Sequence, residues 1–187
     1  MTAAPIEARA AAGVPFEARE GSRPRYVVLG LGNRLQGDEA LGGLVVEQLR
    51  GDPGRLGPLP DPAAVECLDG GTVGLGLLPH LCELDGLVIV DIIDAEVRPG
   101  TLLDLDGMEV LRHDTVMGVH ELGAEERLGA LLFMDALPRR IRVVGFQPEA
   151  ISLGLELSPS LAQGLPALVE AIGAHLRAWQ ETDSAPR

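Results

Sequence analysis

The chain alternates short apolar runs with longer stretches in which Leu, Val and Ala recur at helical spacing. Tyr26 to Leu29 is continuously apolar, the pattern of a strand buried on both faces of a parallel sheet. It runs into Gly30 and Gly32, which permit a tight turn, and then into a helix from Asp38 to about Arg50. A loop rich in Pro and Gly, Gly51 to Pro62, leads to a second strand, Ala64 to Leu68, which ends at Asp69. The sequence DGGT then turns into an apolar helix, about Val73 to Leu84, with Thr72 placed to cap it. The third strand is Gly86 to Ile93, its polar end marked by Asp91 and Asp94, and the brief alternation of Thr101 to Leu105 predicts a fourth. Gly118 to Leu137 reads as a turn and an amphipathic helix, Arg142 to Gly145 as a fifth strand, and Leu161 to Trp179 as a last helix. The segment FQPEAISLGLELSP, Phe146 to Pro159, has the character of a connector.

Alternating strands and helices predict an α/β fold, a three-layer sandwich in which a twisted, mostly parallel five-stranded sheet carries helices on both faces. Residues 1–24 lack periodicity and are expected to form a mobile N-terminal extension, residues 25–182 one domain, and 183–187 a C-terminal tail. With 46% hydrophobic but 3% aromatic residues, the core must be built from Leu, Val, Ile and Ala.

The net charge of −13 opposes partners whose affinity rests on Lys and Arg, so nucleic acid and anionic membrane surfaces are not expected. No apolar run approaches the roughly 18 residues of a membrane helix, and the early glutamates, with no basic start leading into an apolar stretch, do not fit a secretion signal. A cytoplasmic, monomeric protein is expected. Cys67 and Cys82 form no C-x-x-C pair and read as reduced, buried apolar filler.

Candidate chemistry gathers where strands end. The glycine turn fits neither a dinucleotide fingerprint, because Leu35 stands where a third Gly is needed, nor a P-loop, because no Lys-Ser or Lys-Thr pair follows. Asp38 is placed to cap the first helix, which leaves Glu39 available. With parallel strands, Glu39 after the first and Asp69 after the second share one rim of the sheet, Asp91 lies there too, and His120 follows the fourth strand closely enough to reach it. Singly these residues have ordinary readings: a dipole partner in a first turn, a turn former after a strand, a histidine bonded to backbone. Two carboxylates and an imidazole together suit a divalent metal. Asp91 and Asp94 are read as turn or supporting residues, and His80, His113 and His175 as surface or packing residues.

Four motifs in order resemble those of the hydrogenase maturation endopeptidases, which process the large subunit of nickel-iron hydrogenases. They are GLGNRLQGDEALG at Gly30 to Gly42, LDGGTVG at Leu68 to Gly74, VIVDIIDA at Val88 to Ala95 and VHELG at Val119 to Gly123. GFQPEAISLGLELSP is similar to the family's C-terminal portion. The resemblance implies a mostly parallel sheet between helices. It also implies an enzyme that removes a C-terminal extension from the hydrogenase large-subunit precursor once nickel has been inserted. The three metal ligands it implies are Glu39 of the D-E pair, Asp69 of D-G-G-T and His120 of H-E, the three that topology singles out. Ala40 departs from the usual glycine after the D-E pair, and Gly118 from the small hydroxyl residue before the Val-His step; neither is a ligand position.

No serine or cysteine stands visibly beside a base for covalent attack, whereas a metal can acidify a bound water and polarise a carbonyl. The ion is expected to be the nickel carried by the substrate, its recognition coupled to cleavage, with Glu121 as a candidate proton carrier. Two other functions fit parts of the pattern: a nickel-sensing assembly chaperone that binds the precursor without shortening it, and a nucleotide-binding domain.

Overall fold

The computed structural model describes residues 25–71, 77–112 and 136–185. His120, Glu121, the expected extension 1–24, the cap at Thr72 and all but the last two residues of the expected Gly118 to Leu137 helix lie outside the described residues.

Five strands form one sheet in the order β2-β1-β3-β5-β4. They are β1 Tyr26–Leu31, β2 Val65–Gly71, β3 Gly86–Ile92, β4 Leu102–Asp106 and β5 Ile141–Phe146. β1 pairs in parallel with β2 and β3, β3 in parallel with β5, and β4 runs antiparallel at the edge against β5. The helices are α1 Leu41–Gly51, α2 Leu78–Leu81, α3 Gly107–Arg112 and α4 Pro159–Ser184. Every residue of β1 and β3 is buried, which is why both read as unbroken apolar runs.

Alternation along the strands separates two cores. Tyr26, Val28, Val88, Val90, Val144 and Phe146 pack under α1 and α4, against Val46, Leu49, Leu168 and Ile172. Val27, Leu29, Leu87, Ile89 and Val143 face the other side, with Leu81, Leu84, Met108 and Val110. Helices therefore cover both faces.

The approach of α1 to the sheet depends on two missing side chains. A Cβ on Gly30 would overlap the Gly42 carbonyl, and one on Gly42 would overlap Leu31 backbone and the Val90 carbonyl. The close helix-to-strand packing that a dinucleotide fingerprint assigns to its third glycine is provided here by Gly42, inside the helix.

Several boundaries differ from expectation for physical reasons. The first helix begins as a 3-10 turn, Asp38–Ala40, and becomes α-helical only at Leu41. β2 extends to Gly71, so Asp69 lies within the strand. The last helix runs past Trp179 to Ser184 because Asp183 accepts a 2.6 Å hydrogen bond from the Tyr26 hydroxyl and ion pairs with Arg139 and Arg140. Burial, then Asp183, pushes the Tyr26 hydroxyl well above its ordinary pKa.

Candidate active site

From β1 the chain moves outward to β2 and then crosses back past β1 to β3. The direction of winding reverses between β1 and β3, and in open α/β sheets the crevice at the carboxyl ends of such a pair is the ligand site. Two carboxylate residues belong to that crevice. Glu39 sits in the 3-10 turn after β1, half-buried, and this turn packs against β3. Gly32, with φ 109°, leaves room for the Glu39 carbonyl, which any Cβ there would overlap. Asp91 lies near the end of β3, 3% exposed, its Oδ1 accepting the Ile92 N–H at 2.8 Å.

Asp69 is one strand further out. Its Oδ2 accepts from the Arg34 guanidinium at 3.1 Å and its Oδ1 from the Gly71 N–H at 3.0 Å. Arg34 also donates to Glu47 at 2.6 Å and to the Gly43 carbonyl at 2.9 Å, so Asp69 is tied to α1. The hydrogen bond to Glu47, joined by the charges of Asp69 and Glu47, holds the Arg34 guanidinium more firmly protonated than usual, against the opposing effect of burial. Register places Asp69 beside Gly30 and Gly30 beside Val90, on the α1 face of the sheet. Asp91, one residue on from Val90, points to the opposite face. Asp69 and Asp91 thus serve different surroundings. Among the described residues, no three His, Cys, Asp or Glu side chains converge on one point.

The route by which His120 was expected to reach the rim changes. β4 is antiparallel, and its last residue, Asp106, pairs with Arg142 at the beginning of β5, so the chain leaves β4 at the far rim. Eight chain steps lead from Arg112 to His120. Fully extended they span at most about 28 Å, more than the roughly 20 Å of a six-residue strand, so chain length allows a return.

Asp38 does not cap the helix that follows it. No side-chain bond closes that turn; instead its carboxylate, 1% exposed, accepts the N–H groups of Glu149 at 2.8 Å, Ala150 at 3.3 Å and Ser158 at 2.7 Å. The turn carrying Glu39 is thereby fastened to the connector after β5. Replacing Asp38 with Ala should lower stability by about 2–3 kcal/mol, because three donors lose a charged acceptor. Urea unfolding and limited proteolysis of residues 148–158 check this; an unchanged midpoint and an intact connector would contradict it.

Asp94 is a supporting residue, as expected, accepting from the Gln147 side chain at 3.0 Å while Gln147 Oε1 accepts the Ala95 N–H at 2.8 Å. His175 pairs with Asp104 at 2.7 Å and lies against Trp179, a packing role. Burial pushes the Cys67 thiol up to about 11, which suits apolar filler and not a nucleophile. Nothing in the local sequence marks Arg34 as the partner of Asp69. The signal for Asp91 was available: a carboxylate inside LVIVDII is costly to bury without a purpose.

The profile of HycI, described as hydrogenase maturation protease, matches residues 55–175, more than half of the 187. The hydrogenase 2 maturation protease of Escherichia coli K12 is 37% identical over 155 residues, 82% of this chain and 91% of that one. The chain belongs to the hydrogenase maturation protease family. It is accordingly an endopeptidase, a hydrolase of peptide bonds. A hydrogenase expression/formation protein, HupD of Rhizobium leguminosarum bv. viciae, is 33% identical over 89% of this chain and 81% of its own. Among solved family structures, the hydrogenase maturating endopeptidase HybD from E. coli superposes with a TM-score of 0.71 at 36% identity, covering 82% of this chain and 93% of that one. HybD from Thermococcus kodakarensis gives 0.63 at 26% identity, over 82% and 99%. These solved structures share the α/β fold of this chain, and the nucleotide-binding alternative is left without support.

Proposed function

We propose that this endopeptidase removes a C-terminal extension from the large-subunit precursor of a nickel-iron hydrogenase after nickel insertion, acting as a cytoplasmic monomer. The observation that carries the reading is the pairing, in a maturation protease, of the Glu39 turn with the buried Asp91 strand at the β1/β3 switch point. In accord with it, no helix among the described residues is long and apolar enough to cross a membrane.

Nickel is part of the substrate in this proposal. Glu39, His120 and a rim carboxylate meet it, so that only a loaded precursor is seated. Sequence singles out Asp69 for the third place; we propose Asp91 in its stead, because it lies buried near the end of β3, the strand against which the turn carrying Glu39 packs, while Asp69 sits one strand further out, held by Arg34. So held, the ion would polarise the scissile carbonyl and acidify a water. Glu121, beside His120, would carry the proton to the departing amine.

Incubation with nickel-loaded precursor, read by intact mass, should show the partner shortened, and nickel-free precursor untouched. A bound but full-length partner would establish the chaperone alternative instead.

A proton competes with the metal for an imidazole nitrogen, so nickel affinity should fall as pH drops through the His120 titration, by about tenfold per unit below it. Calorimetry from roughly pH 8 to 5, the span over which histidines ordinarily titrate, checks this; a flat profile would remove His120 from the site.

A further inference from the structure

The four most exposed large apolar side chains among the described residues lie together. Leu153, Leu155, Leu35 and Ile151 are 89%, 70%, 61% and 50% exposed. They belong to two loops zipped by backbone bonds: Gly37 N–H donates to the Gly154 carbonyl at 2.9 Å, and Gly154 N–H to that of Leu35 at 3.0 Å, while Gly37 bridges to Ile151. The second loop wraps Gly37, whose φ of 58° aims the missing Cβ at the Ser152 carbonyl, 3.1 Å away. Asp38 fastens the same loop through three amides. The apolar tips thus stand on a fixed frame, and a cluster of this kind marks an interaction surface whose ordering cost is already met in the free protein.

Position and charge choose the occupant. Leu35 precedes Glu39 by four residues, and Asp38, the anchor of the opposing loop, is its neighbour. A chain seated on the patch is therefore led to the β1/β3 crevice. Exposed Glu149 and Glu156 flank the patch in a protein of net charge −13, which favours positive and disfavours negative charge beside the bound apolar residues. We propose that Leu35, Ile151, Leu153 and Leu155 dock the segment of the precursor next to the bond to be cut, an apolar stretch with basic flanks. This rests on the reading of the substrate given above.

The test reads binding in a chain that cuts too slowly to consume the precursor during the measurement. Nickel-loaded precursor is immobilised, and the Glu39→Gln protein is compared with the same protein carrying Leu153→Ser and Leu155→Ser. Dissociation constants should rise at least tenfold, as expected for losing central apolar anchors, with an unchanged unfolding midpoint. Glu156→Lys, in the same background, should weaken binding more at low than at high salt. Affinity within twofold of the parent for the Leu pair would overturn the proposal. So would loss of a dimer in sedimentation with precursor affinity intact, since the patch would then serve self-association. If the unsubstituted protein binds the precursor and never shortens it, the processing reading fails while the docking measurement still stands.

Discussion

Glu39→Gln and Asp91→Asn should each slow shortening of nickel-loaded precursor by about 10²- to 10³-fold or more, the usual cost of removing a group that stabilises charge in the transition state. Asp69→Asn should cost tenfold or less. The contrast follows from what each carboxylate touches. Asp69 forms one ion pair with a half-exposed Arg34, of a type worth about 0–1 kcal/mol, and accepts one amide bond that an Asn oxygen can still accept. Asp91 is buried at the central strand's end beside the Glu39 turn, where no solvent screens its charge. Steady-state rates on one batch of precursor check the ranking. Equal losses for Asp69→Asn and Asp91→Asn would place both at the site; a loss confined to Asp69→Asn would restore it as the third ligand and remove Asp91.

The largest effect on stability should come from Gly42→Ala, at least about 3 kcal/mol. The added methyl would overlap the Leu31 amide and carbonyl and the Val90 carbonyl, all main chain in the two central strands, so α1 must lift off the sheet. Folded domains are stable by only about 5–15 kcal/mol, so such a loss is a large fraction of the whole. Activity should fall with it, because α1 continues directly from the turn that carries Glu39. Gly51→Ala, at the other end of the helix with nothing within 4 Å of a new Cβ, should be neutral or slightly stabilising. Chemical denaturation of the two variants in parallel separates packing from helix propensity; a Gly42→Ala midpoint equal to that of Gly51→Ala would refute the close-approach argument.

β1 and β3 were legible in sequence because a strand buried on both faces must be apolar throughout, and parallel winding then fixes which ends share a rim. Alternation in Thr101 to Leu105 marks a strand but carries no direction. Direction was nevertheless recoverable from length, since the nine residues between β3 and β4 are too few for the dozen or more of a parallel crossover. The partners of Asp38 and Asp69 were illegible in the sequence for a common reason. The partners of Asp38 lie more than a hundred residues away, and Arg34 lies 35 residues before Asp69; no local pattern announces such contacts. Asp69 also looked like a residue that follows a strand, whereas pairing with β1 carries β2 on through it to Gly71. Asp91 was visible on the rim as a charge in an apolar run and was read as a turn or supporting residue; the winding order that makes the β1/β3 rim special belongs to the assembled sheet.

The most direct measurement is anomalous diffraction from crystals of the full chain equilibrated with nickel. One peak is expected at the carboxyl end of β1 and β3, within about 2.3 Å of a Glu39 oxygen, an Asp91 oxygen and a ring nitrogen of His120. A peak held by Asp69 with Arg34 displaced, or none at these residues under saturating nickel, would contradict the site.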